Sequence, residues 1–220
     1  MNVPGFGGWN SDPLWARFYD WTVEHERVGG VLWRAGIGSE LRLLYDAAAE
    51  IGRQPAGSRI LDIPCGGGVA LRGLRPGQGV EYVAGDIAQA MLDRTLAAAR
   101  DRDVADQVKP QIADVGDLPF ADGEFDLVVS FTGLHCFPDP HRAIAEIVRV
   151  LRPGGVLTGS TLLNRSGLRY APIGPIGRAA NVLGPGLTYG ELTAWLAEAG
   201  LGHVTIDRSG ALAYFRGTRR

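Results

Sequence analysis

The chain has 220 residues, 45% of them hydrophobic, which is enough for one sizeable core, and no shift in composition divides it. Its formal net charge of -2 comes from interspersed acids and bases, which excludes the basic stripe that binds a nucleic-acid backbone or an anionic membrane. Two cysteines, Cys65 and Cys136, are too few for a disulfide framework and lack C-x-x-C spacing, so no metal is expected.

The first 38 residues carry Phe6, Trp9, Trp15, Phe18, Tyr19, Trp21 and Trp33, which predicts one or two helices lying over a sheet. This N-terminus lacks a basic start followed by an apolar run, and no apolar run reaches the roughly 18 residues of a membrane span. A cytoplasmic protein with reduced thiols is the expectation. Leu41, Leu44, Ala48 and Ile51 form a helical stripe, after which short β-rich runs alternate with segments of helical period. The strands are "RILDIPC", "VEYVAGD", "VKPQIAD", "FDLVVSF" and "GVLTGSTL". Met91, Leu92, Thr95, Leu96 and Ala99 mark the helix after the second. Another follows "FPDP", with Asp139 as cap, Pro140 in the first turn, Ile144, Ile147, Val148 and Leu151 on one face, and "RPGG" as its stop.

Residues 163–188 are rich in glycine and proline and read as a lid inserted into the fold. Tyr189 to Ala199 returns to helix, and "HVTIDR" and "LAYFRGT", joined through Gly210, predict an antiparallel hairpin. The fold class is therefore α/β, a doubly wound, seven-stranded, mostly parallel sheet with an antiparallel last strand. One domain spans residues 1–220, with 1–38 as helical cover and 40–160 as core.

The stretch "ILDIPCGGG" ends an apolar strand in a carboxylate and three glycines. Glycines at 66, 67 and 68 permit positive φ and leave the main chain bare for a ligand. A dinucleotide fingerprint would place its third glycine at Leu71, so that reading weakens, and a Walker lysine is absent. Asp62 and Asp86 remain, each at the end of a strand, and a carboxylate accepts two hydroxyl hydrogen bonds at once. Either could instead serve structure, Asp62 as a cap or ion-pair partner and Asp86 as the cap of the helix that follows.

Four motifs in order, "LDIPCGGG", "YVAGDIAQAML", "IADVGDLPFADGEFDLVVS" and "RVLRPGGVL", resemble the class I S-adenosylmethionine-dependent methyltransferases over residues 40–160. The resemblance is to the Rossmann-like, small-molecule branch that includes ubiquinone and menaquinone methyltransferases. It implies S-adenosylmethionine as cofactor, with Asp62 near its amino-acid end, Gly66 and Gly68 beneath it, and Asp86 on its ribose. It further implies Ile87 and Met91 beside the adenine, Asp114 on the adenine amine, Val115 offering its backbone amide, and Phe131 among the cofactor residues. Pro64 stands where that family usually has glycine and can offer only its carbonyl.

His135, just past the fourth strand, is either a general base or a structural loop histidine. Phe18, Tyr19, His135, Arg169 and Tyr170 are candidates for the acceptor site, Phe18 and Tyr19 otherwise being core; Arg165, Arg169 and Arg178 either bind a carboxylate or phosphate or are solvated charges of the loop. Cys136 reads as a small hydrophobe. The expected reaction is in-line methyl transfer to a small, apolar or aromatic acceptor, with the methylated atom open and a homodimer compatible with it. The alternative is a regulatory protein that binds the cofactor without turnover. A nucleotide-dependent oxidoreductase is a weaker third reading.

Overall fold

A computed structural model describes residues 21–179 and 182–220. Seven strands, β1 Arg59–Asp62, β2 Glu81–Asp86, β3 Val108–Ile112, β4 Phe125–Phe131, β5 Leu151–Leu162, β6 Leu201–Ser209 and β7 Leu212–Arg219, form one sheet in the order β3-β2-β1-β4-β5-β7-β6. Strands β1 to β5 run parallel, and β7 lies antiparallel between β5 and β6. The order reverses between β1 and β4, and an open sheet of this kind forms its ligand crevice at the carboxyl ends of such a pair.

Burial explains the strand sequences. Ile60, Tyr82, Leu127 and Val129 face one helical layer, while Leu61, Val83 and Val128 face the other, so the central strands are apolar on both sides. Only Val108 of β3 is buried, and Pro110 sits within that strand because an edge does not need its missing N–H.

Helices α1 Glu26–Gly36, α2 Leu41–Gly52 and α3 Gln89–Asp101 pack on one face, and α4 Pro140–Val150 and α6 Tyr189–Glu198 on the other. All four residues of the α2 stripe are buried. Asp139 accepts a hydrogen bond from the Arg142 amide at the start of α4, and Thr188 and Glu191 close a capping box on α6. Phe6, Trp9, Trp15, Phe18 and Tyr19 lie outside the described residues.

Two local expectations change. "RPGG" does not stand between helix and strand: α4 stops at Val150, and Arg152 to Gly155 bulge out of β5, whose pairing jumps from Phe125↔Leu151 to Leu127↔Val156. Leu151 therefore packs from the strand rather than from α4. After the glycine turn the chain makes a 3₁₀ helix, Val69–Gly73, and Gly73 lies so close to the Ala48 carbonyl of α2 that a side chain would collide with it.

The segment between β5 and α6 holds a 3₁₀ turn, Leu168–Tyr170, and a short helix, α5 Ile173–Ala179. Its neck is pinned by a bridge between Leu163 and Leu187 and by Asn164, whose side-chain amide donates to the Pro185 carbonyl at 2.9 Å. No helix among the described residues is long and apolar enough to cross a membrane.

Candidate functional site

The end of β1 delivers Asp62 into the interior, 1% exposed, where the Tyr82 hydroxyl on β2 donates to it at 2.7 Å. Burial pushes this carboxyl up to about 8, the Asp86 charge adding to the rise and the Tyr82 donor opposing it. The chain then turns through a cis Ile63–Pro64 peptide into Cys65 to Gly68, with positive φ of 52° at Gly66 and 86° at Gly68.

The two glycines do different work. A Cβ at Gly66 would meet nothing within 4 Å, so that residue opens a face to the crevice. At Gly68 a Cβ would lie 3.0 Å from Leu71 and 3.3 Å from Ala98 and Thr95, so this glycine lets the turn pack on α3. The polar groups of Gly66 are already satisfied: its amide donates to Asp86 Oδ2 at 3.1 Å and its carbonyl accepts from Thr95 Oγ1 at 2.8 Å. What it offers a ligand is bare surface.

Asp86 is 5% exposed. Its Oδ1 accepts from the Ala88 amide at 3.0 Å, so its side chain braces a turn before α3 instead of capping that helix. Burial raises its pKa while the backbone donors of Ala88, Gly66 and Ile87 pull it back. Three backbone donors on about four acceptor sites leave the carboxylate at least one lone pair for a ligand. Beside it Ile87 is 60% exposed, a large apolar surface at the rim, whereas Met91 is enclosed with Ala88. Asp114 lies exposed past β3 and accepts from the Gly116 amide at 2.8 Å, Val115 is buried, and Phe131 packs in the layer of Val129 and Tyr214.

On the other side of β4 lies a cavity of about 610 Å³ whose wall includes His135, Leu163, Arg165, Tyr170 and Arg178. The turn that carries His135 abuts the glycine turn, since a Cβ at Gly133 would collide with the Pro64 ring. His135 does not have the geometry of a base. Its Nδ1 accepts from the Leu162 amide at 3.0 Å, which leaves the ring proton on Nε2, and burial lowers its pKa to about 4. Arg169 also departs from expectation, because its guanidinium donates to the Ala35 carbonyl at 2.6 Å and is not part of the cavity wall. Burial raises both cysteine thiols, Cys136 to about 12, so neither is a thiolate nucleophile.

Residues 61–158, from β1 into β5, match the family described as a methyltransferase domain. The chain is 36% identical over 152 residues to the 27-O-demethylrifamycin SV methyltransferase of Amycolatopsis mediterranei, which covers 66% of this chain and 54% of that one. It is 39% identical over 103 residues to the demethylmenaquinone methyltransferase of Clavibacter sepedonicus, 46% of this chain and 39% of that one. The chain thus spans about half or less of the length of these curated relatives. A solved structure of geranyl diphosphate C-methyltransferase from Streptomyces coelicolor shares the fold, with a TM-score of 0.67 at 16% identity over 82% of this chain and 77% of that one.

Within residues 61–158, sequence reading missed the residues that hold the turn and the loop after β3 in shape. Tyr82 had a signal, since a tyrosine in an apolar strand needs a partner for its hydroxyl. Thr95 gave one too, as a hydroxyl on the buried stripe of α3. The third missing group is Arg149, which donates to Glu146, Asp122 and the carbonyls of Leu118 and Phe120, while Glu146 accepts from the Leu118 amide. This pair straps the loop after β3 to α4.

Proposed function

We propose that the chain transfers a methyl group from S-adenosylmethionine to a small organic acceptor. The observation that carries this is Gly66, a bare face open to the crevice whose polar atoms are already bonded, flanked by the carboxylates of Asp62 and Asp86. These residues fit the cofactor: Asp86 would take the ribose hydroxyls through its remaining acceptor capacity, and Asp62 the amino-acid end. Ile87 would cover the adenine and Asp114 its amine, with Met91, Val115 and Phe131 shaping the floor and Pro64 contributing at most its carbonyl.

When bound, the sulfonium supplies a methyl group for in-line displacement. The chain's own contribution is then to hold two reactants at attack distance and keep water out, effects for which effective molarities of up to about 10⁸ M are available. The cavity walls, with Leu163, Leu168, Ile173 and Leu183, suit an apolar or aromatic acceptor. Residues 163–188 act as its lid in one domain spanning residues 1–220, with Tyr170 on the acceptor side.

Calorimetry with S-adenosylmethionine, S-adenosylhomocysteine and NAD tests the reading. The first two are expected to bind; NAD binding alone would overturn it. Asp86→Ala should weaken cofactor affinity at least about tenfold, or about 1.4 kcal/mol, whereas Asp86→Asn, which keeps an oxygen for the Gly66 amide, should lose less. Unchanged affinity in Asp86→Ala would remove Asp86 from the site. Binding without release of S-adenosylhomocysteine across an acceptor panel would favour the regulatory alternative.

A further inference from the structure

We propose that the cavity beside the glycine turn receives its acceptor as an oxyanion, that of a phenol or an enol, and that His135 donates a hydrogen bond to that oxygen through Nε2–H. This rests on the methyl-transfer reading and names the chemical class of its acceptor.

The first argument is the histidine's tautomer. A backbone amide can only donate, so the 3.0 Å contact from Leu162 N–H makes Nδ1 the lone-pair nitrogen; the Thr161 hydroxyl lies 3.3 Å from the same atom. The proton of the neutral ring is then on Nε2. A second proton would set an N–H against the Leu162 N–H, which agrees with the depressed pKa that burial imposes.

The second argument is what Nε2 lacks. His135 is 6% exposed and lines the cavity, and among the described residues its ring hydrogen bonds are made at Nδ1, not at Nε2. A nearly buried N–H at the wall of a cavity is stabilised by an acceptor that reaches it, and a charged acceptor gains most.

The third is the charge of the wall. Among the described residues its ionisable groups are His135, Arg165, Tyr170 and Arg178, none of them a carboxylate; Glu191 lies within electrostatic reach of Arg165 from α6. Two guanidinium groups and one fixed N–H form a field that favours an anion over its conjugate acid.

The step balances without a protein base. The acceptor releases its proton to water as it binds in the anionic form, and its electron pair makes the new bond to the methyl carbon. The carbon–sulfur bond breaks with its pair staying on sulfur, which ends as a neutral thioether. His135 keeps its proton throughout.

The probe is 4-nitrophenol, whose phenolate absorbs visible light, titrated with the full chain at several pH values. The wild-type protein should bind the phenolate about tenfold or more tighter than the phenol, so that colour appears at lower pH than in buffer. His135→Phe and Arg178→Met should each lessen that preference. His135→Gln, which can donate but cannot take a proton, should retain most of it. Equal affinity for the two forms, no binding at millimolar probe, or loss in Gln equal to that in Phe would overturn the proposal. Two-dimensional ¹H–¹⁵N spectra of the wild-type protein at pH 6 to 8 should show a neutral His135 protonated at Nε2; an imidazolium or an Nδ1–H form would also overturn it. S-adenosylmethionine calorimetry on the same samples separates the two readings: phenolate selection without cofactor binding removes methyl transfer and leaves the cavity assignment.

Discussion

Asp62 shows how one buried side chain carries both structure and a pH signature. The unfolded chain releases its proton near the ordinary 3.8, while in the fold the carboxyl holds it up to about 8. Between those values the folded chain binds more protons than the unfolded chain, so this group's contribution to stability falls as pH rises. Thermal melts from pH 4 to 8 should therefore show a downward trend that Asp62→Asn reduces; an unchanged trend in that variant would place its origin elsewhere. The strand pattern and the acid at its end were readable from "RILDIPC". The Tyr82 hydroxyl beside it was not, because that contact crosses from β1 to β2.

At the scale of elements, the loop after β3 gets its shape from α4. Glu146 and Arg149, one helical turn apart, bind the amide of Leu118 and the carbonyls of Leu118 and Phe120. The bonds join charged groups to backbone, the class of hydrogen bond that contributes most. Arg149→Leu should cost about 2 kcal/mol of stability and lower cofactor affinity without touching the cofactor, because Asp114 and Val115 open the same loop. Denaturant unfolding and calorimetry measure the two effects; full affinity in a destabilised variant would show that the strap serves stability alone. The helical period of α4 predicted its apolar face, and nothing in it specified what the polar side would bind.

On the whole-molecule scale, the segment between β5 and α6 is tied to the body at a distance from its neck. Arg169 reaches the end of α1, and the Tyr170 hydroxyl packs so closely on Gly38 that a Cβ there would collide with it. Gly38 also has a φ of +70°, and the hairpin glycine Gly210 packs against it. Gly38→Ala should destabilise the chain by about 1 to 3 kcal/mol and increase hydrogen exchange in residues 163–179, which would widen access to the cavity. Unchanged exchange there would mean that the segment does not depend on this contact.

The sequence by itself determined the elements and their faces. Periods of two and of three to four residues in an α/β alternation specify which side chains turn inward, and the run of glycines after an acid-ended strand marks the crevice. Only the tertiary structure decided which polar groups meet. Thr95 closes on Gly66, Leu162 donates to His135 and Arg169 turns to Ala35, and each pair is far apart in the chain. Local pattern sets the direction in which a side chain points, whereas its partner is set by the crossing of elements, so the protonation state of His135 became legible only once β5 lay beside it.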